Sequence, residues 1–164
     1  KIMLAVVPLM LLSNTTNDAK AKEENKTPKN VILLISDGTG SSQIPSAFYF
    51  KDSEPNYKRF QNIGLIKTSS SRQDVTDSAA GATAFACGVK TYNGAIGVAD
   101  DSTSVKNIVE RVSSKNIKTG MVATSSITHA TPASFYAHAV SRSMNDELRE
   151  LKRRERTSLI KDIK

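Results

Sequence analysis

VILLISDGTG, at residues 31–40, is the stretch that decides the fold. Five consecutive valine, isoleucine and leucine residues end at a Ser-Asp-Gly-Thr-Gly run, which is the pattern of a strand buried on both faces and ending in a turn. The pattern predicts a central parallel strand over residues 31–35, with Asp37 just beyond its carboxyl end. Further strands are predicted over residues 64–70 and 121–123.

A helix and a tight turn are predicted between the second and third strands. Residues 79–86 are rich in alanine, and Gly88 follows them as the type of residue that commonly ends a helix. Ser78 precedes this run, so its hydroxyl is predicted at a helix N-terminus. The Tyr-Asn-Gly sequence at residues 92–94 then indicates a tight turn.

Two more helices are predicted after that turn. Apolar residues at helical spacing predict one over residues 104–115, with Ser102 or Thr103 as its cap. Pro132 suits the first turn of another, which is predicted to run through Ala139. Strands that alternate with helices imply right-handed crossovers, so the predicted fold class is α/β, with helices on the faces of a parallel sheet.

The composition fits one folded domain. A length of 164 residues, with 38% hydrophobic and 24% charged residues, excludes a wholly disordered chain and a multi-span membrane protein. No tryptophan, 5% aromatic residues and no internal repeat argue against repeat arrays and base-stacking platforms.

The net charge of +7 is concentrated at residues 149–164, which hold seven basic against three acidic residues, so no specific nucleic-acid partner is expected. The single cysteine, Cys87, excludes an intramolecular disulfide and is interpreted as a small buried side chain.

The chain is predicted to divide into four parts. They are a signal peptide at residues 1–21, a polar linker at residues 22–29, the α/β domain at residues 30–147 and a basic, atypical tail at residues 148–164. The apolar run at residues 2–12 follows Lys1 and is too short to span a bilayer, as is typical of a signal peptide, although no initiator methionine precedes it. Cleavage near Ala21 would leave an exported protein, periplasmic or extracellular, with no transmembrane segment; a buried strand or helix is the alternative for this run.

Polar residues collect at one predicted edge of the sheet, where parallel strands end and ligands commonly bind. Asp37 and the loop at residues 125–131 fall on that edge. A carboxylate is a hard oxygen ligand for a divalent cation, and the hydroxyl of Ser78 is a potential nucleophile whose anionic product would meet helix N–H groups. The residues alone leave alternatives open: Asp37 as a turn residue, Ser78 as a helix cap, and His129 and His138 as ordinary imidazoles.

Three segments resemble the amino-terminal third of alkaline phosphatases. They are VILLISDGTG at residues 31–40, VTDSAAGATAFACGVKTYNGAIGV at residues 75–98 and SITHATPASFYAHAVSR at residues 126–142, in the order that the family has them. The resemblance implies a three-layer α/β/α fold with a mostly parallel central sheet, of which this chain supplies the N-terminal part. It further implies a homodimer for the full-length protein and metal-dependent hydrolysis of small phosphate monoesters through a phosphoserine intermediate.

The resemblance assigns the catalytic and phosphate-binding residues. Ser78 matches the nucleophile that attacks phosphorus, and Arg142 matches the arginine that binds two phosphate oxygens through its planar fork. Asp77 precedes the nucleophile and would orient metal-bound groups or Arg142, or else serve as a helix cap. His138 is interpreted as structural.

The resemblance also implies two cofactors, zinc and magnesium. Asp37 would bridge a zinc and a magnesium ion, Ser78 would face the zinc, and Thr131 would bind magnesium through its hydroxyl. His129 stands where family members carry Asp or His. It is expected beside the magnesium site rather than as a direct ligand, because magnesium prefers oxygen.

The sequence departs from the family after Arg142. No histidine follows that residue, the family's other metal ligands lie beyond the position where this chain stops, and residues 148–164 do not continue the family pattern. We therefore expect the 164-residue chain itself to be inactive and to expose apolar edges. The alternatives are a non-catalytic truncated fragment, a basic module that binds anionic surfaces, and a related enzyme that acts on sulfate esters, phosphodiesters or phosphonates.

Overall fold

The computed structural model describes residues 30–144 and residue 150. Within them the helices are α1 (Gln43–Phe50), α2 (Ser78–Cys87), α3 (Ile108–Ser113) and α4 (Ala130–Ala133), with a short 3-10 helix, Asn56–Arg59, between α1 and α2. The chain forms two units, Lys1–Leu34 and Ile35–Lys164, and the helices α1 to α4 lie within the second. The predicted signal peptide and linker fall outside the described residues, as does the predicted tail apart from residue 150.

The three predicted strands are not formed in the part of the chain that the structure describes. Residues 31–35, 64–70 and 121–123 form no β-pairing, and the strand prediction is wrong there. The side chains of residues 31–34 are exposed rather than buried. An apolar run becomes a strand only when a neighbouring segment accepts and donates its backbone hydrogen bonds, and that neighbour is not encoded locally.

Within the described residues, β-pairing occurs at two isolated antiparallel bridges. They join Ile96 to Ala139 and Val98 to Ser104. Ile96 and Ala139 exchange both backbone hydrogen bonds, at N···O distances of 2.9 and 2.8 Å. The first bridge therefore fastens the segment after α4 to the segment after α2.

Helix α2 is confirmed where the alanine-rich run predicts it. Asp77 caps it, because Asp77 Oδ1 accepts a hydrogen bond from the Ala80 N–H at 2.9 Å. Gly88 ends it in the left-handed conformation with φ of 74°, as a C-terminal glycine commonly does. The turn at residues 92–94 is also present, since Ala95 N donates to the Tyr92 carbonyl at 3.2 Å.

Helix α3 is shorter than predicted and has a different cap. It spans Ile108–Ser113 rather than residues 104–115. Asn107 is the cap, not Ser102 or Thr103, because its side chain accepts from the Glu110 N–H while the Glu110 side chain accepts from the Asn107 N–H. This reciprocal capping box outweighs the apolar periodicity that placed the start earlier.

Helix α4 also differs from its prediction. It begins at Ala130, two residues before Pro132, and ends at Ala133 instead of running through Ala139. The bridge to Ile96 uses the backbone N–H and C=O of Ala139, which a longer helix would need. Helix α1 and the short 3-10 helix were not predicted, and Phe48 of α1 packs edge to face on Tyr57 with ring centroids 5.8 Å apart.

The core is built mainly from alanines, which let backbone segments approach closely. Its buried members come from α2, α4 and the two bridged segments: Ala79, Ile96, Ala130, Ala133, Tyr136, Ala137 and Ala139. The closest approach is at Gly97, with φ of +60°, where an added Cβ would lie 2.2 Å from the Ala137 carbonyl oxygen. This packing holds the start of α2 against the segment that carries Arg142. No helix among residues 30–144 is long and apolar enough to cross a membrane.

Candidate active site

The structure brings together all six side chains that the sequence places at the site. They are Asp37, Asp77, Ser78, His129, Thr131 and Arg142. Ser78 Oγ donates a hydrogen bond to Asp37 Oδ1 at 3.1 Å, and Thr131 Oγ1 donates to Asp37 Oδ2 at 2.7 Å. One carboxylate therefore holds two hydroxyls that lie 41 and 94 residues from it in the sequence.

These surroundings stabilise the ionised form of Asp37. The hydrogen bond from Thr131 lowers the pKa of this carboxyl below its usual value of 3.8. Partial burial opposes that effect, whereas the hydrogen bond from Ser78 and the charges of His129 and Arg142 reinforce it. The net shift is downward, so Asp37 carries a negative charge at neutral pH.

Asp77 and Arg142 form an ion pair at the start of α2. Arg142 Nη1 lies 3.1 Å from Asp77 Oδ2, with the two side chains 35% and 25% exposed. Arg142 Nη2 lies 3.4 Å from His129 Nε2. A guanidinium has five N–H donors, more than these two contacts use, so Arg142 retains the capacity to bind an anion.

Asp77 has two structural tasks at once. One carboxylate oxygen caps α2, and the other accepts from the Gly94 N–H at 3.0 Å as well as from Arg142. The alternative reading of Asp77 as a helix cap is therefore correct, and it accompanies the contact with Arg142. Asp77, not Ser78, caps the helix, and the Ser78 hydroxyl donates to Asp37.

The sequence missed the contribution of the turn after α2. Asn93 Oδ1 accepts from the Asp77 N–H at 3.1 Å, and Gly94 contacts the Asp77 carboxylate. The signal was available, because this turn lies in the same family-like segment as Ser78. A turn motif alone, however, does not indicate which distant residue it contacts.

His138 and Cys87 make contacts of a structural kind. His138 Nδ1 lies 2.6 Å from the Gly97 carbonyl oxygen and its Nε2 lies 3.1 Å from Glu110 Oε1. Cys87 is buried, and burial raises the pKa of its thiol. A raised pKa disfavours the reactive thiolate.

The donor set near Asp37 fits a metal ion in part. Asp37, Thr131 and Ser78 offer a carboxylate and two hydroxyls, the hard oxygen donors that magnesium prefers. Within residues 30–144 and at residue 150, no group of three or more His, Cys, Asp or Glu side chains could hold a metal. A tight zinc site needs more ligands than Asp37 and Ser78 supply.

Ser78 therefore lies at the start of α2 with its hydroxyl on Asp37, and Arg142 contacts Asp77, the residue that caps this helix. Residues 28–164 match the alkaline phosphatase family. The chain belongs to that family.

Curated relatives include alkaline phosphatases from a yeast and from a bacterium. Alkaline phosphatase of Schizosaccharomyces pombe is 38% identical over 155 residues, which cover 91% of this chain and 29% of that protein. Alkaline phosphatase 3 of Bacillus subtilis is 44% identical over 144 residues, which cover 80% of this chain and 31% of that protein. The chain thus spans less than a third of the length of either relative.

Solved structures of the alkaline phosphatase from the Antarctic bacterium TAB5 are also similar. The enzyme is 76% identical with a TM-score of 0.73, covering 75% of this chain and 36% of that one. A histidine-to-aspartate mutant with Mg bound in the M3 site is 72% identical with a TM-score of 0.75, covering 77% and 36%. The matched part of this chain therefore has the fold of the corresponding part of an alkaline phosphatase.

Proposed function

We propose that the complete gene product hydrolyses phosphate monoesters with Ser78 as the nucleophile. The observation that carries this proposal is the position of Ser78 at the N-terminus of α2, with its hydroxyl on Asp37 and the Asp77–Arg142 ion pair beside it. A phosphoryl group on Ser78 would meet the N–H groups of the helix start, which favour negative charge. Family membership supports the same chemistry.

The reaction proceeds in two displacements. Ser78 Oγ forms a bond to phosphorus as the bond to the ester oxygen breaks; the hydroxyl loses its proton and the departing alcohol gains one. Water then attacks the phosphoserine, which releases inorganic phosphate and restores the hydroxyl. Asp37 holds Ser78 Oγ in place before the first step, so little rearrangement precedes attack.

Arg142 binds the phosphoryl oxygens in this proposal. Its planar fork can hold two non-bridging oxygens while negative charge redistributes in the transition state. Asp77 orients that fork through the 3.1 Å ion pair. Catalytic and phosphate-binding roles therefore fall on Ser78 and Arg142, and a positioning role falls on Asp77.

Zinc and magnesium are the proposed cofactors. When bound, they supply positive charge that makes a hydroxyl or a water more acidic and stabilises a leaving oxygen. Asp37 and Ser78 would hold zinc, and Asp37 with Thr131 would hold magnesium. His129, whose Nε2 lies 3.4 Å from Arg142 Nη2, would stand beside magnesium rather than bind it directly. The histidine-to-aspartate mutant of the TAB5 enzyme, which has Mg bound in its M3 site, supports magnesium as one of the two.

The fold, export and dimerisation of the complete protein are proposed from its family membership. The complete protein has a three-layer α/β/α fold with a mostly parallel sheet, is exported after loss of residues 1–21, and forms a homodimer. Identity of 76% to a solved alkaline phosphatase supports the fold. The 164-residue chain alone is proposed to be inactive, because its described residues hold no cluster of metal-ligating side chains.

The test is hydrolysis of a chromogenic phosphate monoester at alkaline pH with zinc and magnesium. The protein from the complete reading frame is compared with Ser78→Ala and with Ser53→Ala, an exposed control. Activity in wild type and Ser53→Ala that disappears in Ser78→Ala is expected. Faster turnover of a sulfate ester or phosphodiester would assign the site to a different hydrolase, and activity that survives Ser78→Ala would refute the proposal.

The non-catalytic alternative has its own test. Removal of residues 149–164 would abolish salt-sensitive binding to anionic vesicles if the basic tail were the functional part. In the 164-residue chain, we expect the same vesicle binding before and after this deletion. Vesicle binding that weakens with salt and disappears when residues 149–164 are removed would favour the surface-binding alternative.

A further inference from the structure

We infer that Asn93 is a positioning residue that sets the affinity of this site for a phosphate group. The inference rests on the proposed function and adds a residue to it. Among the described residues, Asn93 makes no hydrogen bond to Ser78 Oγ or to the Arg142 guanidinium. It acts through Asp77, which contacts both Asn93 and Arg142.

The Asn93 side chain clamps the backbone that leads into α2. Its Oδ1 accepts from the Asp77 N–H at 3.1 Å, and its Nδ2 donates to the Val75 carbonyl at 3.0 Å. The two contacts need one acceptor and one donor on the same planar group, which an amide provides. The Asp77 backbone is extended here, with φ of −92° and ψ of 176°. The Asn93 amide therefore pairs with the backbone of residues 75–77 in the way that a neighbouring β-strand would.

The neighbouring Gly94 connects this clamp to Arg142. Gly94 N donates to Asp77 Oδ2 at 3.0 Å, and the Gly94 carbonyl accepts from the Arg142 backbone N–H at 2.7 Å. The same Asp77 oxygen also receives Arg142 Nη1. Asp77, Gly94 and Arg142 thus form a closed ring of hydrogen bonds, and Asn93 holds the main chain of Asp77, one member of that ring.

The hydrogen bonds of Asn93 are separate from those that hold the Ser78 hydroxyl. Ser78 and Thr131 are held by Asp37, which comes from a different segment of the chain. Loss of the Asn93 amide should therefore misalign Arg142 relative to Ser78 while leaving the Ser78–Asp37 contact in place. The expected consequence is weaker phosphate binding with a smaller effect on turnover of bound substrate.

The test measures inhibition by inorganic phosphate in the complete gene product with its metals. Asn93→Ala should raise the inhibition constant and KM about tenfold, with kcat changed about twofold to threefold. Asn62→Ala, at an exposed asparagine, is the matched control and should match wild type. Asn93→Ser, which can replace one of the two contacts, should fall between wild type and Asn93→Ala.

A double-mutant cycle separates positioning from general stability. If Asn93 acts through Asp77, Asn93→Ala should raise the inhibition constant much less in an Asp77→Ala background than in wild type. Equal effects in both backgrounds would overturn the inference. An unchanged inhibition constant in Asn93→Ala and Asn93→Ser would also overturn it, as would failure of both variants to fold, which would make Asn93 a stability residue.

The failure of this inference is distinguishable from failure of the proposed function. Ser78-dependent hydrolysis with phosphate inhibition unaffected by Asn93→Ala would leave the proposed function standing and refute the role of Asn93. Absence of hydrolysis in wild type would refute the proposed function. Calorimetric titration of inorganic phosphate into the same variants would then still decide whether Asn93 sets phosphate affinity.

Discussion

Ser78 Oγ donates a hydrogen bond to Asp37 Oδ1 across 3.1 Å, although 41 residues separate them in the chain. The contact joins the turn after an apolar run to the first residue of α2. It leaves the serine hydroxyl oriented by a carboxylate whose pKa is lowered, first by the hydrogen bond from Thr131. In the proposed function, a serine held in this way needs little reorganisation before it attacks phosphorus.

The two tasks of Asp77 can be separated by substitution. Asp77→Ala removes the cap of α2 and should reduce the free energy of unfolding by about 1 kcal/mol. Asp77→Asn keeps an acceptor for the Ala80 N–H and should retain most of that stability. Both variants should raise KM for a phosphate monoester, because the negative charge of Asp77 that orients Arg142 is lost. Urea denaturation and steady-state kinetics give the two readouts.

Asn107→Ala is the matched control for Asp77. Asn107 caps α3 in the same manner, and within the described part of the chain it makes no hydrogen bond to the six site residues. It should lower stability by a similar amount, about 1 kcal/mol, without changing KM. A KM for Asp77→Asn equal to that of wild type would show that Asp77 only caps the helix.

Gly97 should tolerate no side chain. An added Cβ would lie 2.2 Å from the Ala137 carbonyl oxygen, and φ is +60°. Gly97→Ala is therefore expected to destabilise the protein by more than about 3 kcal/mol. Gly88→Ala, with φ of +74° but no atom within 4 Å of the added Cβ, should cost only about 1 kcal/mol. Equal unfolding midpoints for the two variants would contradict the close approach.

Glu110 should contribute to stability at neutral pH and lose that contribution in acid. Burial raises the pKa of its carboxyl, but hydrogen bonds from His138 and the Asn107 backbone outweigh burial, so the pKa lies below its usual 4.5. Because the folded-state pKa is lowered, the stabilisation is present above pH 4.5 and declines as pH falls through the folded value.

The pH dependence of unfolding measures this contribution. Between about pH 6 and about pH 3, the wild-type unfolding midpoint should fall more steeply than that of Glu110→Gln. Asp52→Asn, at an exposed carboxylate, should follow wild type. Parallel curves for wild type and Glu110→Gln would show that Glu110 makes no such contribution.

Lysine should be a poor replacement for Arg142. A single ammonium cannot reproduce the planar fork that contacts Asp77 and is proposed to hold two phosphate oxygens. Arg142→Lys is expected to raise KM for a phosphate monoester by about tenfold or more. Arg59→Lys, on the exposed 3-10 helix, serves as the control. Identical KM values for Arg142→Lys and wild type would remove Arg142 from the binding site.

Local chemistry explains what the sequence predicts well. The alanine run and Gly88 specify α2 within a few residues of chain, and the Tyr-Asn-Gly turn is equally local. Caps are harder, because several polar residues compete at each helix start. Asp77 caps α2, although the Ser78 hydroxyl could also have done so. The reciprocal hydrogen bonds of Asn107 and Glu110 make α3 begin later in the chain than predicted.

Distant pairing explains what the sequence does not predict. The apolar run at residues 31–35 has strand composition, but a strand requires a partner that only the folded chain can bring to it. The end of α4 likewise depends on the bridge between Ala139 and Ile96. Residue patterns alone put Asp37 and the loop that carries Thr131 at one predicted edge, but they leave Asp37 open as a turn residue and Ser78 as a helix cap. The meeting of all three side chains follows from the family resemblance.

The central claim is that Ser78 forms a bond to phosphorus, and acid quenching during turnover tests it most directly. The complete gene product is mixed with a phosphate monoester, quenched rapidly, digested and analysed by mass spectrometry. A phosphoryl group on the peptide that contains Ser78, absent from Ser78→Ala, is the predicted result. Turnover without any phosphoryl group on Ser78, or undiminished turnover by Ser78→Ala, would contradict it.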